Sequence, residues 1–222
     1  MTSRPNKVEP RPAPRLYLVT PRIADAAGFS ESLTAALAAG DVAAVLLRLA
    51  DADERSQINC AKTLGAIVQN KDAALLLDGN AELVARAGCD GAPVTGLAEF
   101  TEAIAKLKPE RIVGAGGLTT RHDAMAAAEA NADYVMFGEP NENGERPSFG
   151  AIEERVAWWA EVFEAPCVAF AGSADEVAPL VKAGADFIAL GDWVWQDTQN
   201  SNVVAAIIAD AARHLQIPET AT

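Results

Sequence analysis

Four segments of the chain repeat one pattern: alanine-rich residues at helical spacing, a small turn, an aspartate, and a short unbroken apolar run. They read LTAALAAGDVAAVLL, AELVARAGCDGAPV, AMAAAEANADYVMF and VAPLVKAGADFIAL, and their aspartates, Asp41, Asp90, Asp133 and Asp186, lie 43 to 53 residues apart. One strand–helix unit of a parallel barrel takes about 30 residues, so each interval has room for two. The intervening strands fall where that count requires them, as RLYLVT from Arg15, AALLLD from Ala73, RIVGAG from Arg111 and PCVAFA from Pro166. Apolar runs without polar alternation suit parallel strands buried on both faces. Eight strands alternating with eight helical stretches predict an α/β fold, a (β/α)8 TIM barrel. An open doubly wound sheet usually has fewer strands, and its glycine-rich first turn is missing.

That architecture sorts the polar positions. The recurring aspartates precede their strands and belong to the stability face, whereas chemistry belongs to the loops that follow strands. Those loops are expected to begin after Thr20, Arg48, Asp78, Val94, Gly116, Gly138, Ala171 and Leu190. With 222 residues and 50% hydrophobic composition the chain can bury one large core. The barrel domain is expected over 15–215, with a disordered proline-rich tail over 1–14 and a short C-terminal tail over 216–222. No apolar run approaches a membrane span and the first residues lack an apolar signal segment, so a cytoplasmic protein with no membrane contact is expected. A net charge of −13 argues against nucleic acid as a partner. Three widely spaced cysteines, Cys60, Cys89 and Cys167, form neither a disulfide framework nor a metal cluster, and His122 and His214 suit neither a zinc site nor a histidine-based triad. The sequence leaves open whether the chain forms a homo-oligomer.

Several strand-end positions carry candidate chemistry. After the seventh strand, AGSADE offers Gly172 for close backbone approach and a Ser173–Glu176 capping-box spacing; with Gly191 after the eighth strand, Gly172 and Ser173 make a candidate phosphate cradle. Arg48 follows six apolar residues and can project into the barrel mouth, where its fork of donors suits phosphate or carboxylate. The polar loop FGEPNENGERPSFG is expected to act as a mobile cover carrying Glu139 and Arg146. In LLLDGN, Asp78 stands where a ligand would meet the third loop. Trp158 and Trp159 on the sixth helix, and Trp193 and Trp195 after the eighth strand, are expected to serve packing or a subunit contact.

From Arg15 to Ala212 the order of segments resembles thiamine phosphate synthase and its close relative thiazole tautomerase. LYLVT is similar to the family's first strand, LLR ending at Arg48 to its Gln-x-Arg-x-Lys strand, LLLDGNAELVARAGCDG to its Ile-Asn-Asp-Arg segment and following turn, and ADYVMFGEP to its sixth strand. CVAFAGS and AGADFIALGD are similar to its last two strands. The resemblance implies a synthase that joins an aminopyrimidine diphosphate to a thiazole phosphate with Mg²⁺ and releases pyrophosphate. Position by position, Arg48 keeps the family arginine, while Leu46 and Ala50 replace its glutamine and lysine. Asp78, Gly79 and Asn80 stand for Asn-Asp-Arg, so glycine occupies the metal aspartate's position; the second metal aspartate would lie near Ala98 or Glu99. Gly116, Gly117 and Leu118 replace Ser-Thr-His, Arg146 stands for a loop lysine, Glu139 for the tautomerase histidine, and Asp192 for an eighth-loop serine.

The expectation is therefore a divergent family member of thiamine metabolism that binds a phosphorylated thiazole- or pyrimidine-type ligand through Arg48, Asp78, Arg146, Gly172, Ser173, Gly191 and Asp192. Its metal and diphosphate residues are substituted, so Mg²⁺ follows only from the resemblance and no residue is assigned to a metal. Two alternatives stay open: a barrel that binds a ligand or partner without catalysis, and a tautomerase-like enzyme that moves protons with Glu139.

Overall fold

The computed structural model describes residues 12–215; apart from 12–14, the tails expected over 1–14 and 216–222 lie outside the described residues. Eight parallel strands close in sequence order, β1 (Arg15–Ile23), β2 (Val42–Leu49), β3 (Ala74–Leu77), β4 (Gly91–Thr95), β5 (Ile112–Gly116), β6 (Tyr134–Phe137), β7 (Cys167–Ala171) and β8 (Phe187–Leu190). A helix follows each: α1 (Ala26–Ala39), α2 (Glu54–Gln69), α3 (Val84–Ala87), α4 (Leu97–Leu107), α5 (Arg121–Glu129), α6 (Phe149–Val162), α7 (Val177–Ala183) and α8 (Ser201–Arg213). The expected TIM barrel is the observed fold. Among the described residues no helix is long and apolar enough to cross a membrane.

Strand pleating divides the apolar residues into two cores. Leu16, Leu18, Val45, Leu47, Leu75 and Leu77 face the helices, whereas Tyr17, Val19, Ala44, Leu46, Leu76, Tyr134, Met136, Val168, Phe170 and Ala189 fill the lumen. Side chains along a strand alternate sides, so the next lumen-facing positions are Arg48 after Ala44 and Leu46, Asp78 after Leu76, Gly172 after Phe170 and Gly191 after Ala189. The candidate residues are thus the topmost layer of a packed lumen. Two tyrosines lie just beneath: the Tyr17 and Tyr134 hydroxyls are 3.0 Å apart and their rings meet edge to face.

β1 runs past Thr20, where the first loop was expected to begin. Its register against β2 slips between Val19 and Arg22, so three steps on β1 face two on β2. Pro21 supplies no ladder N–H, and such residues sit at bulges. Thr20 bridges the irregularity: its buried hydroxyl donates to the Pro21 carbonyl at 2.9 Å and accepts the Arg48 N–H at 3.0 Å. The extra residue shifts the alternation and brings Arg22 opposite Arg48.

At the opposite end the repeated aspartates act as strand anchors. Asp90 accepts the Leu75 N–H at 2.7 Å, Asp133 the Val113 N–H at 2.7 Å, and Asp186 the Cys167 N–H at 2.8 Å. Each carboxylate on the loop before an even strand therefore ties the start of the preceding odd strand. Asp41 differs, because the Leu16 N–H goes to its carbonyl and its carboxylate pairs with the largely exposed Arg15. We expect Asp133→Ala, which also removes an ion pair with Lys108, to lower the unfolding free energy by about 1–3 kcal/mol. Asp41→Ala should cost less than about 1 kcal/mol. Urea unfolding of both variants checks the contrast; equal losses would contradict the anchoring role.

Candidate active site

Arg48 is oriented before any ligand arrives. Its Nε donates to the Thr20 carbonyl at 2.6 Å, and its outer Nη2 pairs with Asp192 from the loop after β8. The Arg48 side chain is 24% exposed, but that of Asp192 is 72% exposed, so one partner is fixed and the other stands in water. Two tryptophans set where Asp192 stands. Trp193 Nε1 donates to the Ala171 carbonyl at 2.9 Å and Trp195 Nε1 to the Val19 carbonyl at 2.7 Å, clamping the short 3₁₀ turn Asp192–Trp195 against the end of β7 and the middle of β1. Packing within the chain thus accounts for Trp193 and Trp195. Trp159 likewise bonds the Ala165 carbonyl and stacks on Phe163, and Trp158 lies under the Arg121 guanidinium.

Asp78 lies at the end of β3, where burial pushes its carboxyl up against the opposing influence of Arg48 and Arg22. Beside it opens a cleft of about 180 Å³ lined by Arg22, Asp51, Gln57, Gly79 and Asn80. Of these, Arg22, Asp51 and Gln57 carry no signal in the apolar pattern. The β1 bulge would have had to be read from Thr20–Pro21 to place Arg22. Gly79 has a left-handed backbone, φ 75°, with open space where a side chain would project. The turn explains glycine there by conformation rather than crowding.

Glu139 follows β6 and folds back across β5, accepting the Gly117 N–H at 2.5 Å. A β-carbon on Gly116 would crowd the Glu139 carboxylate, so this pair of glycines makes its seat. Burial pushes the Glu139 carboxyl above its usual value, and the Gly117 N–H and Arg155 oppose that shift. The Tyr17 and Tyr134 hydroxyls are pushed up too, first by burial, with both Asp78 and Glu139 among the contributing charges.

The expected capping box at Ser173 does not form. Ser173 makes no capping hydrogen bond, and Glu176 instead accepts the Gly172 N–H at 2.7 Å. The same carboxylate takes Arg146 Nη1 with both oxygens, at 3.1 and 2.9 Å. Arg146 also donates to the carbonyls of Gly138 and Phe170, each at 3.0 Å, and lies over the Phe170 ring. The loop expected to be a mobile cover is therefore stapled to β6 and β7, and Asn141 ties its tip through the N–H groups of Asn143 and Glu145. Gly191 leaves room for the Phe170 ring, which a β-carbon there would strike.

Arg48, Asp78, Glu139, Arg146, Gly172, Ser173, Gly191 and Asp192 all lie at the C-terminal ends of the strands. The donors an anion would need are shared out among the chain's own carboxylates: Arg48 to Asp192, Gly117 to Glu139, and Arg146 with Gly172 to Glu176. The donor set for a divalent cation is thin by comparison. Among the described residues no group of three or more Asp, Glu, His or Cys is placed to hold a metal ion, and the position beside Asp78 is Gly79. The described residues thus hold no three-ligand site for a resident metal, although Asp51 and Asp78 line one cleft and a Mg²⁺ carried on a substrate phosphate needs only one or two carboxylates.

A family model described as thiamine monophosphate synthase matches residues 16–193. The chain belongs to the thiamine monophosphate synthase family. Within that family it is 42% identical to a thiamine-phosphate synthase of Rhodospirillum centenum, over 90% of this chain and 96% of that one. It is 39% identical to a thiamine-phosphate synthase of Hyphomonas neptunium, over 84% and 88% of the two chains. The thiamine phosphate pyrophosphorylase structure from Pyrococcus furiosus shares the barrel with a TM-score of 0.73 at 22% identity, covering 90% of this chain and 95% of that one. The family places the chain in thiamine biosynthesis.

The Glu139 environment carries a sign that can be measured. A carboxyl whose value is raised on folding stabilises the fold below its ordinary value of 4.5 and loses that contribution as pH rises through the folded value. Glu139→Gln keeps an oxygen for the Gly117 N–H but does not ionise. We expect the variant to gain stability relative to wild type as pH rises above 4.5, with a pH-independent difference below it. Unfolding free energies measured across pH check this; parallel curves would contradict it.

Proposed function

We propose that this member of the thiamine monophosphate synthase family binds a phosphorylated thiazole- or pyrimidine-type ligand at the barrel mouth, with the ligand phosphate at Arg48. The observation that carries the reading is the asymmetry of the Arg48–Asp192 pair: a guanidinium fixed by Thr20 and a partner largely in water. An exposed ion pair is worth about 0–1 kcal/mol, whereas a phosphate hydrogen-bonded to arginine gains about 1.5–3 kcal/mol, so phosphate displaces Asp192. The better-shielded Arg146–Glu176 pair, with side chains 22% and 17% exposed, is the costlier one to open.

Condensation with loss of pyrophosphate asks more of the mouth than this binding does. A diphosphate leaving group must be neutralised by cations, and here Arg22, Arg48 and Arg146 face Asp51, Asp78, Glu139, Glu176 and Asp192. The carboxylates outnumber the arginines, so this reading expects the mouth to neutralise a diphosphate poorly and classical synthase turnover to be absent. Purified protein given the aminopyrimidine diphosphate, thiazole phosphate and Mg²⁺ should yield no thiamine phosphate above a no-enzyme control; clear turnover overturns this part of the reading. In calorimetric titrations, thiazole phosphate and thiamine phosphate should bind wild type, and Arg48→Ala should weaken them about 10- to 100-fold. Unchanged heats would remove Arg48 from the site.

Glu139 favours a second reading, proton transfer on a bound thiazole. A carboxyl raised by burial can hold and release a proton closer to neutral pH. This reading expects isomerisation of a thiazole carboxylate phosphate that Glu139→Gln abolishes while binding persists; a full rate in that variant removes it.

A further inference from the structure

We propose that Glu176 is an internal anion that fills the phosphate position of the loop after β7, and so determines which ligands the barrel accepts. In parallel barrels that loop is a recurrent phosphate seat. Here the donors that would make one, the Gly172 N–H and Arg146 Nη1, both point at Glu176, at 2.7 Å and at 2.9 and 3.1 Å. The plug is local in sequence: the turn Ala174–Glu176 returns the carboxylate to a backbone N–H four residues earlier.

The seat beneath the plug is independent of it. Arg146 is held by the Gly138 and Phe170 carbonyls and by the Phe170 ring, none of which involves Glu176. Gly172 must be glycine for the guanidinium to lie so close, since a β-carbon would collide with Nη1. Withdrawing the carboxylate leaves a fixed guanidinium beside a free N–H, two donors converging on one spot, which is a seat for a tetrahedral oxyanion. With the carboxylate in place, a second phosphate would meet like charge at a site it cannot share.

The consequence for the ligand is that its phosphate is not seated against β7. Its position at Arg48 rests on the function proposed above, whereas the plug does not. The part of the ligand that faces β7 is uncharged there, which separates a monophosphorylated heterocycle from a molecule phosphorylated at both ends.

Inorganic phosphate is the probe. It is titrated calorimetrically, and by its effect on thermal melting, into wild type, Glu176→Ala and Glu176→Gln, each also carrying Arg48→Ala, and into Glu176→Ala/Arg146→Ala. Glu176→Ala should bind phosphate about tenfold or more tightly than wild type, and phosphate should recover melting temperature lost by the substitution. The gain should persist with Arg48→Ala and vanish with Arg146→Ala. If the alanine variant does not fold, Glu176→Gln, which keeps the bulk without the charge, carries the same test. The proposal is overturned if neither Glu176 variant gains phosphate binding, if phosphate restores no cooperative melt to either, or if wild type already binds phosphate through Arg146. A gain that persists while Arg48→Ala leaves wild-type ligand binding untouched would sink only the Arg48 reading.

Discussion

In a closed parallel barrel every strand must present alternate residues to the lumen and to the helices, and it cannot slip by one residue without exchanging the two sets. In this protein the lower layers of the lumen are filled by Tyr17, Ala44, Leu46, Leu76, Tyr134, Met136 and Phe170. Once these are packed, the identity of the next layer is no longer free. Arg48 and Asp78 must crown one side of the mouth, and Gly172 and Gly191 the other. The mouth is consequently lopsided, with charge on the wall of β1 to β3 and glycine toward β7 and β8. Neighbouring side chains then lean over the glycines: Glu139 and Arg146 from the sixth loop over Gly116 and Gly172, and Phe170 of β7 against Gly191.

Charge drawn partly out of water must be paired, and that requirement organises the rest of the face. Each anion-binding donor group has acquired a carboxylate of the same chain, but the three arrangements differ in permanence. Asp192 reaches Arg48 as the exposed residue of a turn clamped by two tryptophans. Glu139 lies on a bed of two glycines and takes the Gly117 N–H. Glu176 combines a backbone N–H with a shielded guanidinium, the best-satisfied arrangement of the three. In a mouth built this way the three carboxylates differ in how readily they would yield their donors to an anion.

Much of the fold could be read from the repeat, because an alanine-rich helix, a turn, an aspartate and a buried run recur at intervals that only a two-unit period explains. The aspartates were assigned to the stability face, and the carboxylates of Asp90, Asp133 and Asp186 do anchor neighbouring strands there. The first strand was expected to end at Thr20, but β1 runs to Ile23. The structure carries the strand through Pro21 by a bulge that the Thr20 hydroxyl stabilises, and Arg22 enters the cleft as a result. The spacing of Ser173 and Glu176 suggested a capping box, yet the Glu176 carboxylate finds a better partner set in Gly172 and Arg146. Local spacing cannot register a guanidinium that arrives from 30 residues away.

The sequence by itself determined the barrel, the two ends of the strands and the side on which function lies, since these depend on short-range periodicity and on handed connections between neighbouring segments. It also placed Arg48 and Asp78, because both continue the alternation of their own strands. Only the tertiary structure decided which charges meet. Arg48 with Asp192, Arg146 with Glu176 and Glu139 with Gly117 join residues from different loops, and those distances are set by barrel closure and by the bulge, the tryptophan clamps and the glycine seats that shape the rim.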